Sequence, residues 1–351
     1  MVVIGADVHK RTHTFVAVDD VGRELGQKVV KATTPGHIAA VQWAREQFGS
    51  EVVWGIEDCR NLSARLERDL LSAGQKVVRV APKLMALQRA GGRTRGKSDP
   101  IDALAVARAV LRDPDLPVAA HDEVSREVKL LVDRREDLVV QRTSTINRFL
   151  GRIHELDPDH SPKKGSMDRV KTHNALAGWL STLEGIVAEL AADELADIVR
   201  LTVMINALAT RIGVAVQAVA PTLLALPGCG ELTAAKLVGE SAGITRFKSE
   251  AAFARHSGAA PIPAWSGNTA GRMRLNRTGN RQLNAALHRI AVTQVGMTGS
   301  AGQAYYRKRL ADGDSSSEAL RCLKRRLNRT VFNRLHADEK SRHQTSHPVA
   351  A

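Results

Sequence analysis

Apolar and polar positions alternate in short runs through the first eighty residues. Val2–Asp7, Thr14–Asp19, Glu24–Lys31, Glu51–Glu57 and Lys76–Ala81 read as strands, β-branched-rich and bounded by turn residues such as Asp20-Val21-Gly22-Arg23. Between them the period changes to that of a helix. Thr34-Pro35-Gly36 opens one helix through Phe48, and Leu62–Ala73 forms another, closed by Gly74. Three meandering strands followed by helix-linked strands predict an α/β domain with a mixed sheet. A further helix is expected from Asp99 to about Arg112, stopped by Asp113-Pro114.

Longer helical patterns follow. Val128, Leu131, Leu138, Val139, Ile146, Phe149, Leu150 and Ile153 share one side of a helix over 123–156, and a second pattern runs over 176–220. This predicts a helical hairpin or a coiled-coil dimerisation arm, or equally an ordinary packed bundle. After Leu226-Pro227-Gly228-Cys229-Gly230 the chain reads as short helices separated by Gly and Pro, with a low-complexity tail after Asp338. The expected organisation is an α/β domain over 1–116, a helical arm over 117–220, a mostly α-helical domain over 221–335 and a flexible tail over 336–351.

Charge changes this picture. The 351 residues carry a formal net charge of +14, and residues 221–351 hold 20 Lys+Arg against 8 Asp+Glu. A basic excess confined to one third of a chain points to a nucleic-acid partner. With aromatics at 3%, contact is expected with phosphates more than through base stacking. Cys59, Cys229 and Cys322 are scattered and odd in number, which excludes a disulfide scaffold or a Cys-based zinc site. No stretch approaches the ~18–20 unbroken apolar residues of a spanning helix. The N-terminus lacks the charged region and cleavage site of a signal peptide, so no membrane role and a reducing cytoplasm are expected.

The sharpest chemistry is acidic. Asp7 ends the first strand, Glu57 ends the fourth, and Asp99 and Asp102 stand at i, i+3 on one helix face. Four converging carboxylates repel one another unless divalent cations lie between them, and oxygen-only ligands suit Mg²⁺ or Mn²⁺. Two such ions can support phosphoryl transfer. Asp99-Pro100 is also a good helix start, with Asp99 as N-cap. The twelve His are dispersed without ligand spacing and read as ordinary surface or core residues.

Asp7, Glu57, Asp99 and Asp102 resemble the Asp-Glu-Asp-Asp pattern of RuvC-like (RNase H fold) nuclease domains. Lys97-Ser98-Asp99-Pro100-Ile101-Asp102-Ala103 is similar to the K-x-D-x-x-D-A signature of the bridge-RNA-guided insertion-sequence transposases. The resemblance covers roughly residues 1–335. It implies an RNase H-like domain joined through a coiled coil to a C-terminal transposase domain. The family's small residue and glycine after the glutamate are replaced here by Asp58-Cys59-Arg60, so Asp58 competes with Glu57 as a ligand.

The resemblance also implies that Ser266, in Ser266-Gly267 after Gly258-Ala259-Ala260-Pro261, attacks a DNA phosphate and holds the strand as a phosphoserine; Ser257 is the weaker candidate. It further implies donor and target DNA as substrates, a guide RNA, and a homo-oligomer, dimer or tetramer, in which one subunit's serine completes another's metal site. Gly228 and Gly230 fit a helix-hairpin-helix turn whose backbone N–H groups grip phosphate. Arg272, Arg274, Arg277 and Arg281, with Arg93, Arg95 and Lys97 in the basic loop over 91–98, are the other expected nucleic-acid contacts. Two further readings stand beside this one. One is a metal-dependent nuclease or junction resolvase that uses water as the nucleophile; the other is a DNA-binding protein on a degenerate nuclease scaffold.

Overall fold

The computed structural model describes residues 1–57, 62–82, 84–85, 98–113, 116, 118–119, 122–263, 273–275 and 279–346. The side chains of residues 263, 273–275 and 345–346 lie outside that description, as do Ser266, Arg93, Arg95, Lys97, Arg272 and Arg277. The chain divides into two compact units, Met1–Glu123 with Glu240–Ala351, and Val124–Gly239.

In the first unit, β1 (Val2–Val8), β2 (Thr12–Val18), β3 (Glu24–Lys31), β4 (Val52–Glu57) and β5 (Lys76–Val80) form one sheet in the order β3-β2-β1-β4-β5. The first three strands are antiparallel; β4 and β5 run parallel to β1. This is the mixed sheet predicted from the alternation. Period-two alternation sorts its two faces. Ile4, Ala6, Val52, Trp54 and Ile56 form one core beside α1 (Thr34–Phe48) and α2 (Ala64–Ser72). Val3, Val16, Val53, Val78 and Val80 form the other, against Ala103, Val106, Ala107 and Val110 of α3 (Asp99–Arg112).

On the α1 face, the ring of His13 stacks on that of His37 at 5.1 Å, and His37 Nδ1 lies 2.6 Å from Asp69 Oδ2. Burial, then the neighbouring His37, push the His13 pKa down to about 4. Because this lies below the free value, the stability contributed by neutral His13 is complete above about pH 6.5 and is lost as pH falls towards 4. Urea unfolding at pH 5 should therefore give about 2 kcal/mol less stability than at pH 7 from this residue. His13→Leu should flatten that dependence, and an unchanged slope would refute the assignment.

The second unit is built on α4 (Glu123–Leu156), α5 (Val170–Leu180) and α6 (Ile186–Val219). Leu138 packs with Leu201 and Ile205, while Phe149 and Ile153 pack with Ala191, Leu195 and Ile198. Partners descend along α6 as they ascend along α4, so the two helices are antiparallel. Arg152 Nε to Glu194 Oε2 (3.0 Å) and Lys236 Nζ to Glu136 Oε2 (2.6 Å) tie this unit's helices by ion pairs. The single pattern expected over 176–220 is broken after Leu180; α6 begins only after Gly185, whose φ of 101° ends the intervening turn. By length and composition α6 is apolar enough to cross a membrane, yet one row of its residues lies in this core.

The rest of the chain forms α7 (Pro221–Leu224), α8 (Glu231–Ser241), α9 (Glu250–His256), a two-stranded ribbon of β6 (Pro261–Pro263) and β7 (Met273–Leu275), α10 (Arg281–Gly296), α11 (Ala301–Ala311) and α12 (Ser316–Ser346). Within the first unit, Arg255 Nη2 lies 2.6 Å from Asp113 Oδ2, and Arg342 Nη2 lies 3.7 Å from Asp122 Oδ2. Contrary to the expected tail over 336–351, α12 continues to Ser346 as one helix of 31 residues. The reason is packing: Asp338 and Glu339 are buried, and the Glu339 carboxylate accepts from Ile244 N (2.6 Å) and Thr245 Oγ1 (2.5 Å).

Candidate functional site

Strand register puts the acidic residues on one face. Ala6 of β1 pairs with Ile56 of β4, so Asp7 and Glu57 occupy the next positions along adjacent parallel strands. Both share parity with Val3 and Val53, whose side chains pack against α3. The first turn of α3 carries Asp99 and Asp102.

The close approach of α3 to the sheet depends on two glycines. Gly5 and Gly55 are register partners on β1 and β4. A Cβ at Gly5 would lie 2.0 Å from Ala103 O and 2.5 Å from Ala107 N; one at Gly55 would meet Val110 Cγ2 at 2.7 Å. The absence of these side chains lets the helix backbone rest directly on the strands two residues before each acid.

Asp7 and Asp102 are each 7% exposed, whereas the Asp99 side chain is half exposed. His9 Nε2 lies 3.0 Å from Asp7 Oδ2 and 3.4 Å from Asp99 Oδ1. Ligand atoms of these three residues all fall within 4.8 Å of one another. Burial raises the Asp7 pKa above its ordinary 3.8; His9 opposes the shift, and the charges of Asp102 and Asp99 add to it. This is the signature of an acid held where its negative charge is unfavourable until a cation arrives. Oxygen donors of this kind suit a hard divalent ion, with the imidazole as an additional donor. The geometry gathers Asp7, His9 and Asp99, with Asp102 close enough for its charge to act on Asp7. Glu57 stands on the same face at the neighbouring strand end, and Asp58 lies outside the described residues.

Three readings change here. Asp99 is not the N-cap: Ser98, at φ −149° and ψ 152°, takes that position, and Asp99 is the first helical residue with its carboxylate turned to His9. His9 is neither a bland surface nor a core histidine. The period of two from Asp7 was the available signal, although His9 lies one residue past the end of β1. Ser257 cannot reach a DNA phosphate, because it is fully buried and its Oγ donates to Asn328 Oδ1 (2.7 Å), with Ala254 O also near at 3.1 Å.

Among the expected nucleic-acid contacts, Gly228 and Gly230 lie in the turn between α7 and α8, with Gly228 at φ 79° and Cys229 N donating to Leu226 O. Arg281 is exposed at the start of α10. The end of that helix is already capped, since the Asn280 side chain accepts from both Gln282 N and Leu283 N. Arg281 would therefore meet phosphate through its side chain, not through an open helix terminus. Arg274 belongs to β7.

The topology and the acidic face define the class: an α/β domain with a mixed sheet and a carboxylate-lined face, combined with helical modules. Residues 4–158 match a family model described as a transposase of Asp-Glu-Asp-Asp type, and residues 220–307 match the model of the transposase IS116/IS110/IS902 family. Together with the insertion-element relatives, these two matches make the chain a DNA transposase/recombinase.

Curated relatives include the insertion element IS900 uncharacterized 42 kDa protein of Mycobacterium paratuberculosis, 27% identical over 92% of this chain and 93% of that protein. The insertion element IS116 uncharacterized 44.8 kDa protein of Streptomyces clavuligerus is 25% identical over 92% of each. Among solved structures, T. thermophilus RuvC in complex with a Holliday junction substrate is similar at 18% identity, over 34% of this chain and 99% of that one, with a TM-score of 0.27.

Proposed function

We propose that this transposase is an RNA-guided DNA recombinase that exchanges strands through a serine–DNA intermediate, working as a homo-oligomer on donor and target DNA. The observation that carries the acidic half of this reading is the gathering of Asp7, His9 and Asp99, under the charge of Asp102, where α3 closes on Gly5. Asp7, Glu57, Asp99 and Asp102 are the residues that would hold Mg²⁺ or Mn²⁺. Bound there, the ion supplies positive charge to stabilise the phosphate oxygens in phosphoryl transfer.

The protein's own step falls to Ser266. Its Oγ bonds to a DNA phosphorus while a P–O bond of that strand breaks; the hydroxyl proton passes to solvent, and the departing strand end takes up a proton as a hydroxyl. Attack by the hydroxyl end of a second strand reverses the exchange and frees the serine. One phosphodiester is spent and one is formed, so no ATP is required. β6 and β7 pair antiparallel, Pro261 with Leu275; in sequence Ser266 comes between them, outside the described residues. The domain reading accompanies this assignment: 1–116 for the acidic site, 117–220 as the arm, and 221–335 for serine and DNA contact. Backbone N–H groups near Gly228 and Gly230, together with Arg272, Arg274, Arg277, Arg281, Arg93, Arg95 and Lys97, would hold nucleic acid.

Ser266→Ala should abolish the covalent protein–DNA adduct on denaturing gels while leaving DNA binding intact. Efficient cutting by this variant would instead establish water as the nucleophile. RNA that copurifies from the native host should be one discrete species with segments complementary to genomic sites. Heterogeneous RNA would remove the guided component.

A further inference from the structure

The 31-residue helix α12 segregates its charges. Arg326, Arg329, Asn333, His336, Lys340 and His343 are all exposed and recur at intervals of 3, 4, 3, 4 and 3 residues, which is one straight face of a helix. The acids of its second half are buried: Asp338 is 3% and Glu339 6% exposed, and Glu339 Oε1 lies 4.0 Å from His343 Nε2 at the edge of the stripe. Inward cations serve the fold. Lys324, itself buried, donates to Asn284 Oδ1 at 2.6 Å, and Arg325 forms a forked pair with Glu250. Arg329 keeps only a 3.9 Å approach to that same Glu250 and has 71% of its side chain exposed. Arg326 lies over the Tyr305 ring at 4.9 Å.

From this segregation we infer that the outer face of α12 is a phosphate-backbone track for duplex DNA. It lies beyond both segments that match the transposase models, which end at residue 307. The stripe runs for about 25 Å, most of one ~34 Å turn of duplex. It is rigid, regular and free of large apolar side chains. Those properties favour backbone phosphates on a duplex over the stacking platform that single strands require. It therefore contributes affinity without sequence preference. Asn333 and His336 stand as polar groups between Arg329 and Lys340.

The inference rests on DNA being the substrate, but binding needs neither the carboxylates nor Ser266. The test uses the full chain and a random duplex of about 30 base pairs in chelator. Arg329→Gln with Lys340→Gln should make the slope of log K against log salt shallower by about 1.8 units, or 0.9 per phosphate lost. Affinity at 0.1 M salt should fall about ten- to a hundredfold, with the thermal midpoint unchanged. Arg200→Gln, an exposed cation on α6 paired with Asp197, should leave the slope alone. An unchanged slope in the double variant overturns the track, as does a loss confined to an RNA duplex of the same sequence. If that double variant still transfers strands normally, the track fails while the enzyme reading survives.

Discussion

Asp7→Asn should lose strand transfer by about three orders of magnitude and yet gain thermal stability in chelator. The activity loss corresponds to about 4 kcal/mol, the scale on which a bound ion stabilises charge at a transferring phosphate. The stability gain follows from the geometry. Asp7 is 7% exposed, and the carboxylates of Asp99 and Asp102 add to its raised pKa. An acid whose folded pKa lies above its unfolded value favours the folded state at low pH and loses that contribution as pH rises through the folded pKa. At neutral pH the ionised group is therefore a net cost, which the amide removes. The gain would appear as a rise in the thermal midpoint. Divalent ions should reverse the order: Mg²⁺ or Mn²⁺ should raise the midpoint of the parent and leave the variant unmoved. A parent insensitive to both ions, or a variant that still transfers strands, would sink the metal assignment.

Gly5→Ala should cost about 3 kcal/mol or more and weaken the same metal response, although Gly5 bears no chemistry. The new methyl would lie 2.0 Å from Ala103 O and 2.5 Å from Ala107 N. Both are helix backbone atoms that no rotamer change can move. Relief requires α3 to lift from the sheet, carrying Asp99 and Asp102 away from Asp7. Gly55→Ala is the internal comparison. Its methyl would meet Val110 Cγ2 at 2.7 Å and Val106 Cγ1 at 3.1 Å; these are side-chain methyls, which shift more readily than helix backbone, so about 1 kcal/mol is expected. Denaturant unfolding in chelator would order the two variants. Equal costs, or a larger cost at Gly55, would contradict the role given to Gly5. Should Gly5→Ala fail to fold, a measurable but modest loss at Gly55 would still support the close-packing account.

Much of the α/β domain was legible because its signals are local. Alternation between Val2 and Val80 specifies strands through a period of two, and Asp99-Pro100 marks a helix start through backbone chemistry. Parity likewise places Asp7 with Val3, and the i, i+3 spacing places Asp99 with Asp102. Errors arose where local pattern met a longer-range contact. The apolar run over 176–220 did not reveal the break between Leu180 and Ile186, because Gly185 interrupts no hydrophobic stripe in the sequence. The polar composition after Asp338 read as a tail, whereas Glu339 bonds to residues 244 and 245, almost a hundred positions earlier.

By itself, then, the sequence determined the strands and helices of the α/β domain, the parity of its acids, the basic excess of the last third and the motif around Asp99. Only tertiary structure decided that β1 lies between β2 and β4, that Gly5 and Gly55 face each other beneath α3, and that His9 joins Asp7 and Asp99. It also decided which cations of α12 turn inward to Glu250 and Asn284 and which face solvent. The physical reason is range. Period and capping act over two to four residues and can be read along the chain, whereas a carboxylate's charge state and a glycine's necessity depend on atoms that only packing brings within a few ångströms.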